Sequence, residues 1–164
     1  MQSRRFLVLT VVLLASLSLN NGCGKNADNS AVIAALQRHE HKPPHGGTPV
    51  VLGDEAYHVE LVLDAASGNL QAYVLDGEME GFIRLPAPSV EFEMRVNGVP
   101  QILVLRAVAN PATGETISDT AMFEAQAEWL KTAREFDGTL QSITIHGTTF
   151  TEVKFNFPKG NDRD

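Results

Sequence analysis

Cysteine is almost missing from this chain: Cys23 is the single one in 164 residues, so no internal disulfide can hold the fold together. Basic residues are scarce as well. Thirteen Lys and Arg stand against twenty Asp and Glu, a net charge of −7, and no stretch clusters enough positive charge to bind a nucleic-acid backbone. An acidic surface keeps a protein soluble and raises the local concentration of cations, weakly and without selectivity. The signatures of common catalytic machinery are also absent: there is no Gly-x-Ser-x-Gly elbow, no phosphate loop, no His-Glu-x-x-His helix and no cysteine pair. Asp64 with Asp76, or Glu78 with Glu80, could be paired as the carboxylates of a glycosidase, but such residues are common in turns and their separation is not encoded in spacing. The expectation is a protein that is not an enzyme.

No apolar run reaches the roughly 20 residues that cross a membrane. The longest, Phe6 to Leu19, follows Arg4-Arg5 and has the charge and length of a signal peptide. It leads to Asn20-Asn21-Gly22-Cys23, which resembles a bacterial lipobox in placing a cysteine directly after a small residue, although Leu19 stands one position earlier than a lipobox leucine. Acylation of Cys23 would give a lipid anchor without a transmembrane helix; ordinary cleavage nearby is the alternative. Residues 1–22 are thus expected to be a signal peptide and 23–43 a lipidated tether, on the periplasmic side of a bacterial envelope. Loss of residues 1–22 leaves 164 less 22, or 142 residues, the size of one domain. Arg4 and Arg5 leave with it, so 11 basic residues remain against 20 acidic, a charge of −9.

Beyond the tether, where Ser30 can cap a brief helix from Ala31 to Arg38, Pro43-Pro44 blocks further helix. From Thr48 on, short runs of Val, Ile, Leu and Phe alternate with Gly, Pro, Asn and Asp, the punctuation of an all-β domain. Tyr57–Leu63 and Leu70–Leu75 flank Ser67-Gly68-Asn69 and read as a hairpin, with Tyr57, Val59, Leu61 and Leu63 on the core face and His58 and Glu60 on the solvent face. Further strands are expected at Pro49–Gly53, Ser89–Val96 and Gln101–Ala107, the last two joined by a tight Asn97-Gly98 turn. Thr139–His146 and Thr148–Phe157 form a closing hairpin, and Pro158 stops the last strand. The composition of Phe123–Phe136 favours a helical turn or two. The sum is a mainly β protein: a single antiparallel β-sandwich with an immunoglobulin-like outline over 44–158, of about seven strands with one short helix, and a frayed tail at 159–164.

Three of the five histidines fall in Arg38-His39-Glu40-His41-Lys42-Pro43-Pro44-His45-Gly46-Gly47. His39 and His41 project to one side of an extended chain, and the prolines stiffen the approach to His45. Neutral imidazoles together with a carboxylate make a credible site for Zn, Cu or Ni, with Glu40 and Glu60 as oxygen donors and His58 available from the folded domain. The competing reading is a solvated tether, since a flexible segment must lose entropy to organise a metal.

The stretch Pro44-His45-Gly46-Gly47-Thr48-Pro49-Val50-Val51-Leu52, continued by Tyr57-His58-Val59-Glu60-Leu61-Val62-Leu63-Asp64, Gly68 and Tyr73-Val74-Leu75-Asp76, resembles a small exported His-Gly-Gly β-domain found in bacterial lipoproteins. It is also similar to segments that accompany periplasmic adaptor subunits of heavy-metal efflux systems. The likeness covers about residues 44–76. It implies His45 first, then His58 and Glu60, as metal-site residues, with Gly46 and Gly47 letting the backbone pass close enough for His45 to reach His58. The chain lacks the adaptor's coiled-coil hairpin and lipoyl-like halves. The implied role is therefore capture, buffering or hand-over of a transition metal in envelope metal homeostasis, with an envelope protein or efflux component as partner. The alternative is a structural or protein-interaction module that binds no metal, in which the His-Gly-Gly turn is held by backbone bonds.

Overall fold

The computed structural model describes residues 42–162. The expected signal peptide, Cys23, the helix from Ala31 to Arg38, and His39, Glu40 and His41 lie outside the described residues. Eight strands follow one another: β1 (Thr48–Leu52), β2 (Tyr57–Asp64), β3 (Asn69–Asp76), β4 (Ser89–Val96), β5 (Val99–Ala107), β6 (Met122–Gln126), β7 (Phe136–Ile145) and β8 (Thr148–Phe157). All neighbours are antiparallel, in the order β1-β2-β3-β6-β5-β4-β7-β8. Among the described residues no helix is long and apolar enough to cross a membrane.

The sheet works as two four-stranded halves folded over one core. β6 and β5 share only two register pairs, Arg106 with Glu124 and Ala107 with Phe123. The halves β1-β2-β3-β6 and β5-β4-β7-β8 are thus hinged along a short seam. Inward residues alternate along most strands as the pleat requires, with a change of phase in β7 between Leu140 and Ile143, where its pairing with β4 shifts register. Val50, Leu52, Val59, Leu61, Leu70, Ala72 and Val74 from one half meet Phe92, Met94, Leu103, Leu105, Leu140, Ile143 and Ile145 from the other. The expected β-sandwich is therefore present. Its tight hairpins are too: Asn97 and Gly98 both take positive φ (51° and 80°), the geometry a two-residue turn needs to follow strand twist.

Two expectations are corrected. The helical reading of Phe123–Phe136 holds only for one 3₁₀ turn, Glu128–Lys131; the preceding residues form β6, which raises the strand count to eight. The physical reason is tertiary. β6 puts Phe123, fully buried, into the core while its backbone joins β3, and that outweighs the helix preference of the alanines around it. The second correction concerns the tail. Gly160 pairs with Asn156, and the Asn161 carboxamide takes the place of a missing ladder between β1 and β8: it accepts from the Val51 N–H at 2.7 Å and donates to the Val51 carbonyl at 3.1 Å. Thr48 Oγ1 adds a bond to the Pro158 carbonyl at 3.3 Å on the same seam.

Candidate site at the His-Gly-Gly turn

The strand β2 has polar residues on its outer face, yet His58 and Glu60 are both fully buried. The expected solvent face is covered. Leu75 and Met79, buried but outside the main core, lie on and just after β3, and a bridge from Leu75 to Phe82 brings the chain back along it. On the other side the segment Pro43–Gly47 packs down on Glu60.

Glycine makes that approach possible. Gly46 takes φ 67°, closing a turn with its N–H on the Pro43 carbonyl at 3.0 Å. A Cβ on Gly47 would stand 2.5 Å from the Leu61 carbonyl and 2.8 Å from Glu60 Cγ, so only a residue without one can follow this path. The turn is then pinned to a single carboxylate. Glu60 Oε1 accepts the backbone N–H groups of His45 and of Gly47, both at 2.8 Å, and Glu60 Oε2 lies 2.8 Å from His45 Nδ1.

The cost of burying that carboxylate is offset by these three donors. A carboxylate has no proton to give, so His45 Nδ1 is the donor of this bond, and in the neutral ring that leaves the lone pair on Nε2. Among the described residues Nε2 has no hydrogen-bond partner. The His45 side chain is 37% exposed while that of Glu60 is 0% exposed. Tyr73, the cross-strand partner of Glu60, stacks under the imidazole with ring centroids 4.0 Å apart and planes 17° apart; Phe82 stands at 5.8 Å. Burial pushes the Tyr73 phenol above its ordinary pKa, and the negative charges of Glu60 and Glu124 push it the same way.

The nominated residues thus separate. His45 and Glu60 are brought together in direct contact. His58 turns its Nδ1 to the Asp76 carbonyl at 3.2 Å instead. His146 belongs to a separate cluster with Tyr57, whose hydroxyl is 3.2 Å from its Nδ1. What the sequence did not disclose is the platform: Tyr73 was one alternating strand residue, and its place under His45 follows from its register with Glu60. The broad polar groove over β4, β7 and β8, lined by residues such as Glu93, Arg95, Asp137 and Lys154, contains none of the nominated side chains. Among the described residues no three His, Cys, Asp or Glu side chains converge as a metal-holding group.

The chain matches no protein-family model, no curated protein and no solved structure.

Proposed function

We propose that this protein is an exported binding module, anchored through a lipid on Cys23, that presents His45 as a transition-metal ligand on the envelope's periplasmic side. The observation that supports this reading is the Glu60–His45 pair: a buried carboxylate on Nδ1 orients the ring and leaves Nε2 as the donor atom at a half-exposed surface. Carboxylate–histidine pairs of this kind serve metal sites by setting the tautomer and raising ligand basicity. Fit distinguishes the nominated residues. Glu60 is suited to orienting His45 rather than to direct ligation, because both oxygens are engaged and buried. His58 is fully buried on the strand beneath. The further donors in this proposal are His39 and His41, six and four residues before His45. Zn, Cu(II) or Ni(II) suits an imidazole set. The role that follows is capture or hand-over of such a metal, in support of envelope homeostasis or efflux.

A second reading rests on the same clip. The bonds from Glu60 to two backbone N–H groups would hold the turn whatever the imidazole does. On that reading the domain is a structural or protein-interaction module without a metal. Calorimetric titration of untagged, chelator-treated Gly24–Asp164 with Zn, Cu(II) and Ni(II) separates the two. Saturable binding near one ion per chain, lost in the His39→Ala/His41→Ala/His45→Ala variant and weakened at least tenfold by His45→Ala alone, supports the metal module. Equal binding by all three proteins, or none by any, supports the structural one.

A further inference from the structure

A histidine in an unfolded peptide does not hold Cu(II) or Ni(II) by its imidazole alone. These ions also displace hydrogens from the backbone amides beside the histidine and take those nitrogens into a square-planar set, the geometry they favour. Zn(II) has no such preference and is held by side chains in a tetrahedral set. Sequence leaves the amide route open at His45, because Gly46 and Gly47 follow it with two unhindered N–H groups. The fold closes that route on both sides. Before the histidine, Pro43 and Pro44 have no amide hydrogen to displace. The N–H groups of His45 and of Gly47 both go to Glu60 Oε1 at 2.8 Å. Between them, the Gly46 N–H is taken by the Pro43 carbonyl at 3.0 Å, the bond that closes the turn. His45 Nδ1, the ring nitrogen that would form the smaller chelate ring with these amides, faces Glu60 Oε2 at 2.8 Å. Three of these four contacts end on one carboxylate whose side chain is 0% exposed. An ion that took Nδ1 or the two amides would strip donors from a buried charge, which is far costlier than doing so in water.

We infer that this clip makes His45 a zinc position: it bars the amide-bound mode of Cu(II) and Ni(II) and leaves Nε2 to an ion that needs only side-chain donors. The inference rests on the metal reading above and adds selectivity to it. Copper keeps the advantage it holds at any imidazole, but loses the further gain that backbone nitrogens would give. Glu60 is thereby a specificity-determining residue that touches no metal, because it holds Nδ1 and two amides at once. Pro43 and Pro44 act with it from the other side. The same residues taken out of the fold should behave in the opposite way, since the glycine amides and Nδ1 are then open to copper.

Visible circular dichroism tests this, because backbone chelation places Cu(II) in a chiral set of rings and gives a d–d signal that an imidazole alone does not. N-acetylated Gly24–Asp164 carrying His39→Ala, His41→Ala and His146→Ala keeps His45 and the fully buried His58 as its histidines. With one equivalent of Cu(II) at pH 7.5 this folded protein should give no amide-type signal, whereas the blocked peptide Lys42–Thr48 should give it. Adding Glu60→Ala to the same background releases Nδ1 and the two amides, so the signal should appear and Cu(II) should bind at least tenfold more tightly, with no gain for Zn(II). A readout that needs no variant is the unaltered Gly24–Asp164 with zinc bound, in which the His45, Gly46 and Gly47 amide protons should all persist in ¹H–¹⁵N spectra. An amide-type copper signal in the folded protein that retains Glu60, or a Glu60→Ala protein that binds Cu(II) no better, would overturn the inference while leaving His45 a ligand. An unaltered chain that takes up no zinc at His45 would overturn instead the reading on which the inference rests.

Discussion

Replacing Glu60 by Gln is the most informative single change, because it preserves shape and reverses one hydrogen bond. In the native protein Oε1 accepts two backbone N–H groups and Oε2 accepts from His45 Nδ1, each at 2.8 Å. The Gln oxygen can keep the two backbone bonds only if its amide nitrogen occupies the Oε2 position. That nitrogen is a donor, so it would face the donor Nδ1–H. The conflict resolves by moving the ring proton to Nε2, after which Nδ1 accepts from the amide. Three charge-assisted bonds become three neutral ones, at about 1.5–3 kcal/mol against about 0.5–1.5 kcal/mol each, and the buried charge is relieved. The two effects oppose each other, so the net loss should be about 1–2 kcal/mol, small enough for the fold to survive. The tautomer should switch completely. Long-range ¹H–¹⁵N correlations of the His45 ring at pH 7.5 read it directly: Nδ1-protonated in the native chain, Nε2-protonated in Glu60→Gln. Denaturant unfolding of the same samples gives the stability change. A native ring already protonated on Nε2, or the same tautomer in both proteins, would refute the reasoning.

Other consequences follow from the fold. Asn161→Ala removes both bonds to Val51 and should cost about 1–2 kcal/mol, with the Val51 amide losing protection in hydrogen exchange before the β2 and β3 amides do; unchanged Val51 exchange would deny Asn161 its role at the seam. Phe123→Ala empties a fully buried position of β6 and should destabilise by about 3–5 kcal/mol in chemical denaturation, where a loss below about 1 kcal/mol would contradict the core position. Burial pushes the Glu115 carboxyl up, but bonds from Thr113 and the Ala121 N–H, the Arg84 charge and a bond from Thr120 outweigh it and hold the pKa below its ordinary value. A depressed folded-state pKa contributes stability above the unfolded carboxylate range that is lost as pH falls through the folded value. Thr113 to Ala121 should accordingly loosen in NMR below about pH 4, and Glu115→Gln should flatten that dependence.

Much of the fold was legible because strands such as β4 alternate cleanly. The pattern Val90, Phe92, Met94 against Glu91, Glu93, Arg95 is a two-residue period with one buried face, and Asn97-Gly98 is a turn few other geometries accept. β6 was not legible, since Met122–Gln126 is too short and too rich in Ala and Glu to show a strand period. It becomes a strand because Phe123 finds the core and β3 offers an edge. The site was half legible. His45 and Glu60 stood out as residue types, and Gly46-Gly47 suggested a close approach, but sequence assigned Glu60 to a solvent face as an oxygen ligand. A strand's period says which side of the sheet a residue is on; it does not say whether a loop fifteen residues earlier comes back to cover it. His58 shows the same limit, being buried on the face that alternation marks as outer.

The measurement that tests the central proposal most directly is a zinc titration of ring-¹⁵N-labelled Gly24–Asp164 followed at the His45 imidazole. Coordination through Nε2, with the Nδ1–H to Glu60 retained and the shift saturating near one equivalent, is the predicted result. A His45 ring that does not move while zinc binds elsewhere, or that binds only by surrendering its Nδ1 proton, would contradict the account.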